Sequence, residues 1–146
     1  MHFRLGDYKN LPKFHPIIPI SYYEKSILDV SLKLGKQTKY KILYFCEKED
    51  NATVSEYIQT IKQNISMDNI EFIKVDDTID DWMQLIIMSI CQHNIIANST
   101  FSWWGAYFGN TENRYVYYPN IWFGPALQQL QTSQMFPTNW QKIDCI

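Results

Sequence analysis

The chain has 146 residues, 46% of them hydrophobic and 19% charged, enough for one globular unit with a real core. Its formal net charge is −2 with the basic residues scattered, so no nucleic-acid-binding face is indicated. The 16% aromatic share is high and predicts stacking surfaces as well as core. Cys46, Cys91 and Cys145 are odd in number and share no CxxC spacing, which argues against a disulfide framework or a zinc site. Cys46 and Cys91 lie among apolar residues and read as buried thiols. The longest apolar run, Ile42 to Cys46, is far too short to cross a membrane, and no secretory signal is evident. The default location is cytoplasmic unless a targeting or membrane segment precedes the chain, and the sequons at Asn51, Asn64 and Asn98 carry no weight without a secretory route.

Residues 1–5 read as a short strand closed by the Gly6-Asp7 turn signal. That strand has no lead-in, which predicts either a truncated strand or a partner half lying upstream in a fuller protein. From Lys9 to Ile20 the chain is aperiodic and punctuated by Pro12, Pro16 and Pro19, a loop. Ser21 with Glu24 three residues on predicts a capping box, with Tyr22, Ile27, Leu28, Leu32 and Leu34 as apolar positions and Gly35 as the stop. Tyr40 to Cys46 is predicted as a strand buried on both faces, with a turn over residues 47–51. Val54, Tyr57, Ile58 and Ile61 mark an amphipathic helix over residues 52–64.

Ile70 to Val75 is the next strand, and Asp80 to Gln92 a helix with Trp82, Leu85, Ile86 and Ser89 on one side. Then comes the stretch from His93 to Ala106. Ile95-Ile96-Ala97 is the core of a strand, Asn98-Ser99-Thr100 are good helix caps, and residues 101–108 suit a buried helix. Arg114 to Tyr118 is a further strand closed by Pro119, and Gln141 to Cys145 the last. This alternation predicts an α/β fold, a parallel sheet flanked by helices and wound right-handedly. In such sheets ligands bind beyond the carboxyl ends of the strands, where His2-Phe3-Arg4 and Asn98 to Ser102 both fall.

A strand feeding a helix through Asn98-Ser99-Thr100 offers unpaired N–H groups and hydroxyls to an anion; the plainer alternative is an ordinary capped buried helix. Arg4 carries a rigid fork of donors suited to a phosphate, the alternative being a surface arginine paired with Asp7. His2 either contacts a base or sugar or packs at a strand end, and Asp7 holds turn amides or Arg4. Asp76, Asp77, Asp80 and Asp81 could suggest a metal, but at a helix start acids favour the dipole. No HExxH, Cys/His ligand set or phosphate-binding glycine loop is present. Ser99, Thr100 and Ser102 lack a Ser-His-Asp context, and His15 and His93 show no sign of serving them as bases. Trp103-Trp104 reads as core, with one ring free to face a ligand.

The stretch His2-Phe3-Arg4-Leu5-Gly6-Asp7-Tyr8 resembles the His-x-Arg-Arg-Gly-Asp-Tyr motif of the α-1,2-fucosyltransferases, glycosyltransferase family 11. Met88-Ser89-x-Cys91-x-His93-x-Ile95-Ile96-Ala97-Asn98-Ser99-Thr100-Phe101-Ser102-Trp103-Trp104-Gly105-Ala106 is similar to that family's longest signature, and the likeness runs on through Pro119 to Phe123. The resemblance implies inverting transfer of fucose from GDP-fucose to a galactoside hydroxyl in α-1,2 linkage, with no cofactor and no metal. It also implies a Rossmann-like domain of 146 residues corresponding to the nucleotide-sugar-binding half of a GT-B enzyme, with a GDP-sugar donor and a glycan acceptor as partners. By that likeness Arg4 is the catalytic residue, holding the β-phosphate of the leaving GDP. The implied substrate-binding set is His2, Arg4, Asp7, Asn98, Ser99, Thr100, Phe101, Ser102 and Trp103.

Three positions depart from the family's pattern. Leu5 replaces a second arginine, Cys46-Glu47-Lys48 replaces Ser-Asp-Asp, and Gln84 stands where an acid is expected to read guanine, leaving an uncharged acceptor. Three other readings stay open: a sugar-nucleotide-binding remnant without turnover, an aromatic interaction module for protein or glycan, and a transferase with another donor sugar.

Overall fold

Hydrophobic residues alternate along the strands and so divide the core between two helical layers. The computed structural model describes residues 1–35, 37–110 and 112–146. Its strands are β1 (Tyr40–Tyr44), β2 (Ile70–Lys74), β3 (Asn94–Ile95), β4 (Val116–Pro119) and β5 (Gln141–Ile143). Its α-helices are α1 (Ile20–Leu34), α2 (Asn51–Ile65), α3 (Asp81–Ile90) and α4 (Thr100–Tyr107). β1 pairs in parallel with β2, β3 with β4, and β4 with β5.

Residues 1–3 join these two groups of strands. Phe3 donates its N–H to the Phe45 carbonyl at 2.9 Å and Phe45 to the Met1 carbonyl at 3.0 Å, while His2 donates to the Ile95 carbonyl at 3.0 Å. The order across the sheet is therefore β2, β1, residues 1–3, β3, β4, β5. With residues 1–3 counted first, this is the 3-2-1-4-5-6 order of the Rossmann-type doubly wound sheet.

Ile42, Ile95, Tyr117 and Phe3 point to one face and pack with Tyr22, Tyr23 and Ile27 of α1 and Val54, Ile58 and Ile61 of α2. Their neighbours in sequence point the other way. Leu43 and Phe45 meet Met88 and Ile87 of α3 and Phe101 of α4, whereas Ile96 and Val116 meet Ala106, Trp122 and the tail aromatics Phe136 and Trp140. Tyr22 ties α1 to the sheet, donating its hydroxyl toward the carbonyls of Ile96 at 2.7 Å and Tyr117 at 2.9 Å. Among the described residues no helix is long and apolar enough to cross a membrane.

Several local expectations are corrected. The strand expected over residues 1–5 stops after Phe3, and the Gly6-Asp7 turn is the start of a 3-10 helix, Gly6–Asn10, with Gly6 at φ +31°. The Ser21–Glu24 capping box does not form: α1 starts one residue earlier, after Pro19, whose fixed φ suits a helix entry. Ser21 instead donates to the Cys145 carbonyl, and Glu24 accepts from Asn64. β1 is fully buried only at Ile42, so it is not sealed on both faces. The apolar side expected of α3 is its exposed side: Trp82 is 59% and Ile86 43% exposed, and Met88 points inward. That helix is apolar nearly all round, so its period cannot select a buried face. Cys46 is a buried free thiol as expected, Cys91 is only half-buried although it was expected to be buried, and Cys145, for which no burial was expected, is buried.

The α3–α4 contact depends on Gly105. A Cβ added there would lie 2.8 Å from the Met88 Cβ and 2.9 Å from its Sδ. Alanine would gain about 1 kcal/mol in helix propensity, but overpacking costs about 1–3 kcal/mol, and the Met88 Cβ cannot swing aside. Gly105→Ala is expected to lower stability by up to about 2 kcal/mol in urea denaturation; a midpoint above the parent's would contradict this packing.

Candidate functional site

At the carboxyl ends of residues 1–3 and β3 the chain departs toward opposite layers, leaving a crevice at the point where strand order reverses. A cleft of about 480 Å³ opens there, lined by His2, Arg4 and Tyr8 from one side and Ser99, Thr100 and Phe101 from another. The loop after β1, Cys46 to Glu49, forms a third wall, and Asp77, Ile79, Asp81 and Gln84 a fourth.

α4 enters the cleft through Ser99, whose backbone is extended at φ −135° and ψ 130°. No side chain caps this helix, contrary to what Asn98-Ser99-Thr100 suggested. Helix geometry leaves the amides of Thr100, Phe101 and Ser102 without intrahelical acceptors, so the uncapped end keeps its donors and partial positive charge. Asn98 is consumed in fixing the approach: its buried amide donates to the carbonyls of Pro16 at 2.9 Å and Trp122 at 3.2 Å. Ser102 donates to the Ser99 carbonyl at 3.3 Å. On the far side of the helix, Trp103 donates its indole N–H to the Met135 carbonyl at 3.0 Å and stacks on Tyr107. The tail thereby braces α4 from behind.

Arg4 faces the helix end across the cleft, 25% exposed as a side chain. One arm of its fork, Nη2, meets Asp7 at 2.6 Å, and the other, Nη1, is ion-paired with Glu47. Both the Asp7 pairing and the cleft position weighed from sequence are therefore present together. The guanidinium also sits 5.2 Å from the centre of the Tyr8 ring, and the Tyr8 hydroxyl donates to the Asn98 carbonyl at 3.1 Å. Tyr8 thus links the arginine to the entrance of α4. The turn carrying Tyr8 is pinned by Asp50, wholly buried, which accepts the Gly6 N–H at 2.7 Å and pairs with Lys9.

His2 is 7% exposed, its ring 5.8 Å from that of Phe101, and its Nδ1 is enclosed with no hydrogen-bond partner among the described residues. Burial, then the positive charges of the α-amino group and Arg4, lower its pKa to about 3, so the imidazole is neutral.

Of the residues singled out from sequence, the structure brings His2, Arg4, Ser99, Thr100 and Phe101 to the cleft. Asp7 stays outside, paired with Arg4, and Asn98, Ser102 and Trp103 face the core or the tail. The acidic run is divided: Asp76 closes a turn on Thr78, Asp77 pairs with Lys74, and Asp81 lies in the first turn of α3. Among the described residues no group of three or more His, Cys, Asp or Glu is placed to hold a metal ion. Tyr8 and the loop from Cys46 to Glu49 were not assigned as site residues from sequence. The loop's place after a strand's carboxyl end was the signal; Tyr8 carried none beyond its place in the motif. The ionic groups on the cleft wall are Arg4 and Lys48 against Glu47, Glu49, Asp77 and Asp81. The positive groups at the cleft are thus Arg4, Lys48 and the uncapped start of α4.

The His2 environment has a pH consequence. Its pKa when folded lies below the ordinary value, so between about 3 and 6.5 the unfolded chain binds the extra proton and acid favours unfolding. The His2 ring resonances are expected to stay at their neutral positions in NMR spectra from pH 8 to pH 5. A midpoint near the ordinary histidine value would contradict the burial.

The glycosyl transferase family 11 model matches residues 1–144. The O-antigen biosynthesis glycosyltransferase WbnK of Escherichia coli is 34% identical over 126 residues, covering 84% of this chain and 38% of that protein. The alpha-1,2-colitosyltransferase of Escherichia coli is 29% identical over 148 residues, covering 99% of this chain and 47% of that protein. The chain thus spans less than half the length of either relative, and no solved structure matches it significantly. The family match runs through both the Arg4 stretch and the start of α4, and the chain belongs to glycosyl transferase family 11.

Proposed function

We propose that this chain is the nucleotide-sugar-binding half of a GT-B glycosyltransferase, a single Rossmann-like domain acting in the cytoplasm. It takes GDP-fucose as donor and serves inverting, metal-independent transfer to a galactoside hydroxyl in α-1,2 linkage. The observation that carries this reading is the shared cleft of Arg4 and the uncapped α4 end, open at the sheet's switch point. Both groups suit a diphosphate: a guanidinium takes two oxygens in parallel, and a helix start offers several amides to one anion. His2 lines the same cleft with a neutral ring, nine-tenths buried, that suits packing against a base or sugar.

In the transfer step the sugar's bond to the β-phosphate breaks as the acceptor oxygen attacks from the opposite face. Negative charge grows on the departing phosphate, and fixed donors aimed there lower the barrier most. Arg4 and the amides of Thr100 and Phe101 fill that role, while Tyr8 keeps the arginine and helix in register. Gln84 sits at the α3 wall with its amide nitrogen donating to the Ile79 carbonyl at 2.8 Å, which leaves Oε1 as an acceptor for the guanine donor edge. The relatives are more than twice as long as the part they share with this chain, and we assign the acceptor-binding half to a further segment of that kind. A second reading changes the donor sugar: the named α-1,2-colitosyltransferase relative favours a colitosyl donor on the same nucleotide site.

Calorimetry with GDP, GDP-fucose, GDP-mannose and UDP-galactose tests the proposal. GDP and GDP-fucose are expected to bind and UDP-galactose not. Arg4→Ala is expected to weaken GDP-fucose by about tenfold or more, the scale of a charge-assisted hydrogen bond. Equal binding by variant and parent would remove the arginine's role, and no nucleotide binding at all would favour an aromatic interaction module.

A further inference from the structure

Arg4 is engaged on both arms before any ligand arrives, and the two partners are not equivalent. Asp7 holds Nη2 from outside the cleft, whereas Glu47 holds Nη1 from a position on the cleft wall. Glu47 therefore stands where a phosphate oxygen must come if Nη1 is to donate to it. It is carried by the loop after β1, and its side chain is 45% exposed, so it can swing into solvent without disturbing the core. The Asp7 pair lies three residues along the same turn, outside the cleft that Arg4 shares with the start of α4.

We propose that Glu47 is a built-in competitor for the phosphate, an affinity-setting residue whose carboxylate occupies the Arg4 fork in the free protein and is displaced when a diphosphate binds. This rests on the nucleotide-binding reading of the same cleft. Ligands that engage Arg4 pay for breaking the Arg4–Glu47 pair, and ligands that do not engage it are indifferent. Glu47 thus lowers the affinity for diphosphates in particular and eases their departure. The contact with Asp7 keeps the guanidinium oriented while its other arm is exchanged, so Asp7 is a positioning residue.

The test is a double-mutant cycle read by calorimetry on the whole chain, with GDP, inorganic pyrophosphate and guanosine as probes. Glu47→Gln keeps the side-chain shape and removes the charge. It is expected to tighten GDP and pyrophosphate about threefold to fivefold, the range for a half-exposed ion pair, and to leave guanosine unchanged. In an Arg4→Ala background the gain is expected to vanish, and Asp7→Asn is expected to give no tightening. If the parent binds GDP and Glu47→Gln binds it equally or more weakly, Glu47 positions Arg4 instead and the inference is overturned, while the nucleotide site stands. Tightening that persists without Arg4, or that Asp7→Asn reproduces, also overturns it by reducing the effect to general charge. If neither parent nor Glu47→Gln binds GDP, the nucleotide-binding reading itself falls.

Discussion

The backbone hydrogen bonds that residues 1–3 make to Phe45 on one side and Ile95 on the other hold this molecule together. Without them the sheet is two separate pieces, β1–β2 and β3–β4–β5. The same three residues place Phe3 into the layer beneath α1 and α2 and His2 against Phe101 in the opposite layer. Strand alternation then determines where Arg4 emerges, at the end of the central segment and beside the start of α4. The joint between the sheet halves and the candidate site are thus consecutive in sequence.

The cleft's electrostatics follow from this placement. Four carboxylates on its walls outnumber Arg4 and Lys48, yet the positive groups lie where strand and helix ends converge. On the proposed reading, short-range, directed donors rather than a general field would hold an anion there. The neutral state of His2 belongs to the same arrangement: its burial, with Arg4 close by, disfavours a further cation. Asp50, buried and bonded to Gly6 and Lys9, and Asn98, bonded to Pro16 and Trp122, keep the two halves of the site in position from outside it.

Strand and helix order were legible in the sequence because the apolar runs Ile42 to Cys46 and Ile95 to Ala97 and the period of α2 have a single solution. The α3 face was not, since Trp82, Met83, Ile86 and Ile90 make that helix apolar where solvent meets it. Ser21 and Glu24 have the capping-box spacing, but Pro19 began the helix earlier and long-range partners took both side chains. In the site, Arg4 and Ser99 to Phe101 could be placed because strand ends collect ligands. Asn98, Ser102 and Trp103 share their stretch but turn inward, as the helical period beyond Ser99 dictates. Glu47 meets Arg4, and Tyr8 meets the entrance of α4, through contacts between segments more than forty residues apart, which no local pattern encodes.

On the proposed reading Arg4 and the first amides of α4 hold one diphosphate from two sides. Titrating isotope-labelled protein with GDP and following its NMR spectra tests this directly. The account predicts that the Thr100 and Phe101 amides and the Arg4 guanidinium resonances move together along one saturation curve, with the Tyr8 signals following. Shifts confined to other surfaces, or an arginine that responds while the α4 amides stay still, would contradict it.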